Sequence, residues 1–276
     1  MPAQTVVQQH QRQLMELRSL ADADLSALLR LLGDGSVADI RDALIDAVPE
    51  LIDPYLVASG ELAAVLFEDL RAEAGRRGTF YAEAAPVALP PERVSSTVRW
   101  AVAPLADESL GGSVLTRLGG SFSRMIMDSS RDTMYANGGR EQVRFQRMPR
   151  PGCCSFCGML ASRPPYMAYR SEASAGGVVG RGSTRSGVDA SGRSLSGGRG
   201  KGVRARGRRE VGASTHDDCH CVVVPLYPGT AMTRLAGVER RKYEEMYQQA
   251  LTDENGNSVR GTKDILANWR ATHGTH

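Results

Sequence analysis

All five cysteines of this 276-residue chain fall into two short clusters. Cys153, Cys154 and Cys157 lie in PGCCSFCGML (151–160), and Cys219 and Cys221 lie in THDDCHCVVV (215–224). A Gly/Ser/Arg-rich stretch separates them. Any fold must therefore decide whether the two ends of a long insertion meet. Cys154-Ser155-Phe156-Cys157 has the spacing that aims two sulfurs at one point from a tight turn, where backbone N–H groups moderate their charge. Cys219 and Cys221 are two apart, so on a strand they face the same side. His216 stands three residues before Cys219, where a turn brings its imidazole to the same point.

Cys154, Cys157, His216, Cys219 and Cys221 thus compete for the four places of a tetrahedral site. Cys153 and His220 are spares expected to point away, and spacing alone leaves the choice of four open. A structural Zn2+ is the reading adopted. Its rivals are small buried apolar cysteines, a redox-labile Cys154–Cys157 disulfide, and a catalytic metal with Asp217 or Asp218 as its acid. Clamping both ends of the roughly 58 residues between the clusters tolerates a long insertion, because closure entropy grows only logarithmically with length. Structural zinc supplies on the order of 10 kcal/mol of folding free energy.

An odd cysteine count does not favour a complete disulfide framework. No apolar run approaches the roughly 20 residues of a membrane span, and MPAQTVVQQHQRQLMEL lacks the apolar core of a secretory signal. The expectation is a protein made and kept in a reducing cytoplasm. Apolar (41 %) and charged (24 %) content are ordinary for a globular chain, whereas aromatics are scarce at 5 %. The core should therefore be built from Leu, Val, Ala and Met.

The first 140 residues read as helices. Leu25, Leu28, Leu29 and Leu32 form one stripe. Leu62, Leu66 and Leu70 form another, with Glu68 and Arg71 left for solvent. Val94, Val98 and Ala101 follow the prolines of ALPPER, which suit a helix start. Val114, Leu118, Phe122 and Ile126 begin a helix expected to run through DSSRDTMYANGG and to end at Asn137-Gly138-Gly139. These stripes need no explanation beyond core packing. From Arg140 the pattern changes. EQVRFQRM alternates like a half-buried strand, YMAYR (166–170) suits a short strand, and CVVVPLY suits a buried one. Tyr243, Met246, Tyr247 and Ala250 return to helical spacing, DENGN reads as a turn, and TKDILANWRATH as a short helix.

Positions 176–212 hold twelve glycines and almost no apolar side chain, too little to offset the entropy of ordering. A disordered insertion over 171–212 is expected. Against Asp189 and Glu210 stand Arg181, Arg185, Arg193, Arg199, Lys201, Arg204, Arg206, Arg208 and Arg209. The 176–212 stretch thus carries +7, leaving −4 for the rest of a chain whose formal net charge is +3. Such a segment suits non-specific, salt-sensitive phosphate contact, and without aromatics it does not suit sequence-selective single-strand binding. A solvated tether and an acidic protein surface are the competing readings.

One family resemblance rests on these residues. A helix, then RDTMYANGGREQVRFQRMPRPGCCSFCGMLASR, then an insertion, then HDDCHCVVVPLY looks like the phage Mu F-like head morphogenesis domain. It is most similar to minor capsid proteins of tailed phages infecting actinobacteria. The matching positions are Cys154, Cys157, Leu160 and Ser162, then His216, Cys219, Cys221 and Pro225, within roughly residues 90–230. Doubled Cys153-Cys154 and the inserted His220 depart from the pattern. The resemblance implies a minor head protein in the virion, assembled in the host cytoplasm with the portal protein and with scaffold or major capsid protein, and able to contact packaged double-stranded DNA. Some relatives carry a protease, but no G-x-S-x-G elbow is present here.

The expected fold class is α+β. A helical N-terminal region (1–90) precedes a small mixed α/β domain (91–230) with the Cys/His clip and the long Gly/Arg-rich insertion, and a helical tail (231–276) follows. No enzymatic activity is expected. The alternatives are a zinc-stapled nucleic-acid-binding protein and a metal-dependent hydrolase.

Overall fold

The computed structural model describes residues 3–87, 89–167 and 220–275. These residues are mostly helical, with one small sheet. Helix α1 (Ala3–Leu32), α2 (Val37–Glu73), α3 (Pro91–Ala106) and α4 (Val114–Glu141) pack together as the main layer. Strand β1 (Arg144–Met148) follows, then the short helix α5 (Ser155–Ala161) and strand β2 (Tyr166–Met167). After the insertion come β3 (Val222–Leu226), α6 (Ala231–Ala250) and α7 (Thr262–His273). The strands form an antiparallel sheet in the order β2-β1-β3.

The leucine stripes become one core. Leu25, Leu44, Ile52, Phe67, Val98, Leu118, Phe122 and Ile126 are fully buried, and the same cluster extends to Phe145, Val224 and Ala236. Residues on both sides of position 90 therefore share it. Boundary residues set the helix ends. Ser36 and Ser113 each accept a backbone N–H from three residues on, capping α2 and α4, and Pro90-Pro91 open α3. Pro49 and Pro54 lie inside α2, where each removes a backbone donor. Residues 80–87, outside helix and strand, run along α2 and α4. Asn137 fixes them by accepting from the Glu83 N–H at 3.0 Å and donating to the Glu83 carbonyl at 2.8 Å.

Helix α4 does not end at Asn137-Gly138-Gly139. It continues to Glu141, and Gln142 takes the left-handed turn with φ 57°. Gly138 lies inside the helix and lets the Phe145 ring sit against its backbone, since a Cβ there would collide with that ring. Phe145 also meets Tyr135 edge-on, with ring centroids 5.2 Å apart.

Strand β1 is not half-buried as its alternation suggests. After exposed Arg144, all four residues are buried. Its two faces are both covered: Phe145 faces α4, whereas Gln146 donates to the Ala161 carbonyl of α5 at 2.8 Å. Arg71 is not left for solvent either. It is 7 % exposed and pairs with Glu141 at 2.6 Å, and Glu141 also accepts from the Tyr227 hydroxyl at 2.6 Å. This triad joins the ends of α2, α4 and β3. Burial, then the hydrogen bond to Glu141, pushes the Tyr227 hydroxyl up from its ordinary range.

Candidate functional site: a cysteine junction at one end of the sheet

Register explains why the two cysteine segments meet. In the antiparallel β1–β3 ladder Met148, the last residue of β1, pairs with Val222, the first of β3. The chain leaving β1 and the chain entering β3 therefore lie at the same end of the sheet. Cys153 is five residues beyond Met148, and Cys221 is next to Val222. Cys157 and Cys221 are 2 % and 1 % exposed and pack as a pair, with half-buried Cys153 and Cys154 against them. All four are thiols rather than disulfides.

The first segment is more helical than a tight turn. Cys154 is the N-cap of α5, and its sulfur accepts the Cys157 N–H at 3.4 Å. A sulfur in that position has backbone support for negative charge. The second segment is pinned from α4. Arg131, 2 % exposed, donates to the Cys221 carbonyl at 3.0 Å and pairs with Asp128 at 2.6 Å. A buried guanidinium is tolerable only with such partners.

Of the two spares, Cys153 is not turned away. Cys153 packs against the Cys157–Cys221 pair, and its thiol lies 3.7 Å from the Tyr243 hydroxyl of α6. Burial first, then the proximity of Cys153, raises the Tyr243 hydroxyl above its ordinary range. His220 Nε2 stands 3.0 Å from the Arg18 guanidinium of α1. An Arg can only donate, so this nitrogen is the acceptor. Sequence reasoning missed Arg18 and Arg131, since neither lies near a cysteine in the chain; RDTMYANGG contains Arg131 but gives no sign of its burial.

A second, smaller cluster flanks the junction. Met159, Ala161, Tyr243, Ala250, Ile265 and Trp269 are buried together, distinct from the main core. Trp269 of α7 sits against Gly158 of α5: a Cβ there would come within 2.6 Å of the indole. Arg270 donates to the Ser155 hydroxyl at 3.2 Å.

Of the expected metal ligands, Cys154, Cys157 and Cys221 are brought together. His216 and Cys219 lie outside the described residues, as do Asp217 and Asp218. So do the nine basic residues from Arg181 to Arg209 and the expected disordered insertion at 171–212. Among the described residues no group of three or more His, Cys, Asp or Glu stands in an arrangement that could hold a metal ion. Among the described residues, too, no helix is long and apolar enough to cross a membrane.

Fold and junction together define a helical protein with a small sheet and a cysteine-rich seam at one end of that sheet. The model of the VG15 protein family matches residues 1–250, and the chain belongs to that viral (phage) family. No curated protein and no solved structure matches it.

Proposed function

We propose that the chain is a minor capsid protein of a tailed phage, a structural component that acts with the portal during procapsid assembly and resides in the phage head. Its role is assembly rather than catalysis, with scaffold or major capsid protein as further contacts. What supports this reading is the meeting of Cys154 and Cys157 with Cys221 in a chain of a phage family. These are positions that carry the likeness to Mu F-like head proteins, and they come together at one end of the sheet.

The thiols suit a soft cation, and a structural Zn2+ at the seam would take Cys154, Cys157 and Cys221 with a ligand from the following segment, His216 or Cys219. Its chemistry there would be cross-linking: it would join the segment that follows β1 to the segment that enters β3. The basic residues of that insertion then serve non-specific contact with packaged double-stranded DNA.

Co-sedimentation of the purified protein with portal rings tests the assembly role; failure to bind portal, scaffold or capsid shells overturns it. Elemental analysis tests the metal. One zinc per chain, lost in Cys157→Ser and in Cys221→Ser, is the expected result, and a metal-free wild-type protein removes zinc from the reading. Deleting 176–212 is expected to lower retention on DNA at low salt with zinc content unchanged.

A further inference from the structure

We infer that α7 is a positioning element for the cysteine seam: Trp269, seated on Gly158, and Arg270, on Ser155, hold the Cys154–Cys157 turn in place. This rests in part on the metal reading above, but its central claim concerns only the thiols.

The geometry is specific. Helix α5 has seven residues, too few to be stable by itself, so its orientation is set by what packs on it. Gln146 of β1 holds the Ala161 carbonyl at the far end of α5. At the cysteine end it is held from the C-terminal helices. Arg270 reaches Ser155, the residue between Cys154 and the rest of the turn, and Tyr243 reaches Cys153. Trp269, 1 % exposed, occupies the space that any side chain at position 158 would need. Cys157 directly precedes that glycine. If the indole is removed, α5 loses its floor one residue from a sulfur that must stay beside Cys221.

The main core does not depend on this contact. Trp269 belongs to the smaller cluster, whereas α1 to α4 and β3 are joined by the larger one. A Trp269 variant should therefore leave the helical layer folded while loosening the seam. Helix α7 also lies beyond the residues matched by the family model, which end at 250, so the tail of this chain supports a seam built within the matched region.

The test uses the full-length protein and two readouts. The first is the rate at which a water-soluble aromatic disulfide labels Cys157, read by peptide mass after timed quenching. The second is the rate at which bound zinc passes to a chelating dye. For Trp269→Ala, labelling of Cys157 and release of zinc are each expected to rise by about tenfold or more, the scale of losing a supporting contact around metal ligands. Helical circular dichroism and the main melting transition should persist, Trp269→Phe should recover most of the effect, and Arg270→Ala should show a smaller rise. Wild-type rates in a folded Trp269→Ala protein overturn the inference. If Trp269→Ala does not fold, Arg270→Ala decides: unchanged rates there overturn it. Should wild-type protein hold no zinc, the metal reading fails and the labelling arm alone still decides the role of α7.

Discussion

The main helical core and the cysteine seam are stabilised in different ways. The core draws on long stripes from four helices, β1, β3 and α6, with dozens of apolar side chains sharing the load. The seam has six buried residues, Trp269 among them, and a pair of thiols, held by single contacts such as Trp269 on Gly158 and Arg131 on the Cys221 carbonyl. A small cluster of this kind gains little from apolar burial and depends on specific staples. A region of the first kind should lose stability gradually when altered. A region of the second kind should lose geometry abruptly with little change in global stability.

The largest expected effect is in the core. Phe122→Ala removes a fully buried ring and should cost about 3–5 kcal/mol, read as a lower midpoint in urea. If it costs less than the seam variants, the contrast is wrong. Next, Tyr227→Phe removes the hydroxyl that Glu141 accepts. A loss of about 1–3 kcal/mol in the same assay would show that a polar staple can matter within the apolar layer.

Acidity sharpens the comparison further. His10, 3 % exposed, is 3.1 Å from the Ser130 hydroxyl, and burial lowers its pKa from 6.5 to about 4. The folded state keeps this ring neutral where the unfolded chain binds a proton, so stability contributed by His10 is present above pH 6.5 and declines as pH falls toward 4. His10→Gln should flatten that part of the pH–stability curve, measured by denaturant midpoints from pH 7 to 4. The smallest effect is at an exposed cap: Ser113→Ala should cost about 1 kcal/mol and leave thiol labelling unchanged.

Much of the core was legible because periodicity reports apolar burial. Val114, Leu118, Phe122 and Ile126 are all buried, and Thr262–His273 forms the helix that its sequence suggests. Polar residues whose fate depends on distant partners were not. Arg71 reads as a solvent residue until Glu141, seventy positions away, is placed beside it. Gly138-Gly139 resembles a helix end because sequence cannot reveal the Phe145 ring that requires a missing Cβ. At the seam, the C-x-x-C spacing made Cys154 and Cys157 visible, but the roles of Cys153, Tyr243 and Trp269 come from packing of the tail. That Cys157 and Cys221 are neighbours was an expectation from chemistry; the ladder register supplies its geometric cause.

The ring of Phe145 nested on Gly138 has a consequence beyond filling space. It fixes β1 against α4 at one definite point, and a shift of the strand by a single residue would turn Phe145 away from the notch. Since β3 is aligned to β1 residue by residue, that notch also sets where the insertion starts and where it returns. The position of the cysteines in the whole molecule is thus measured from a glycine that carries no chemistry of its own.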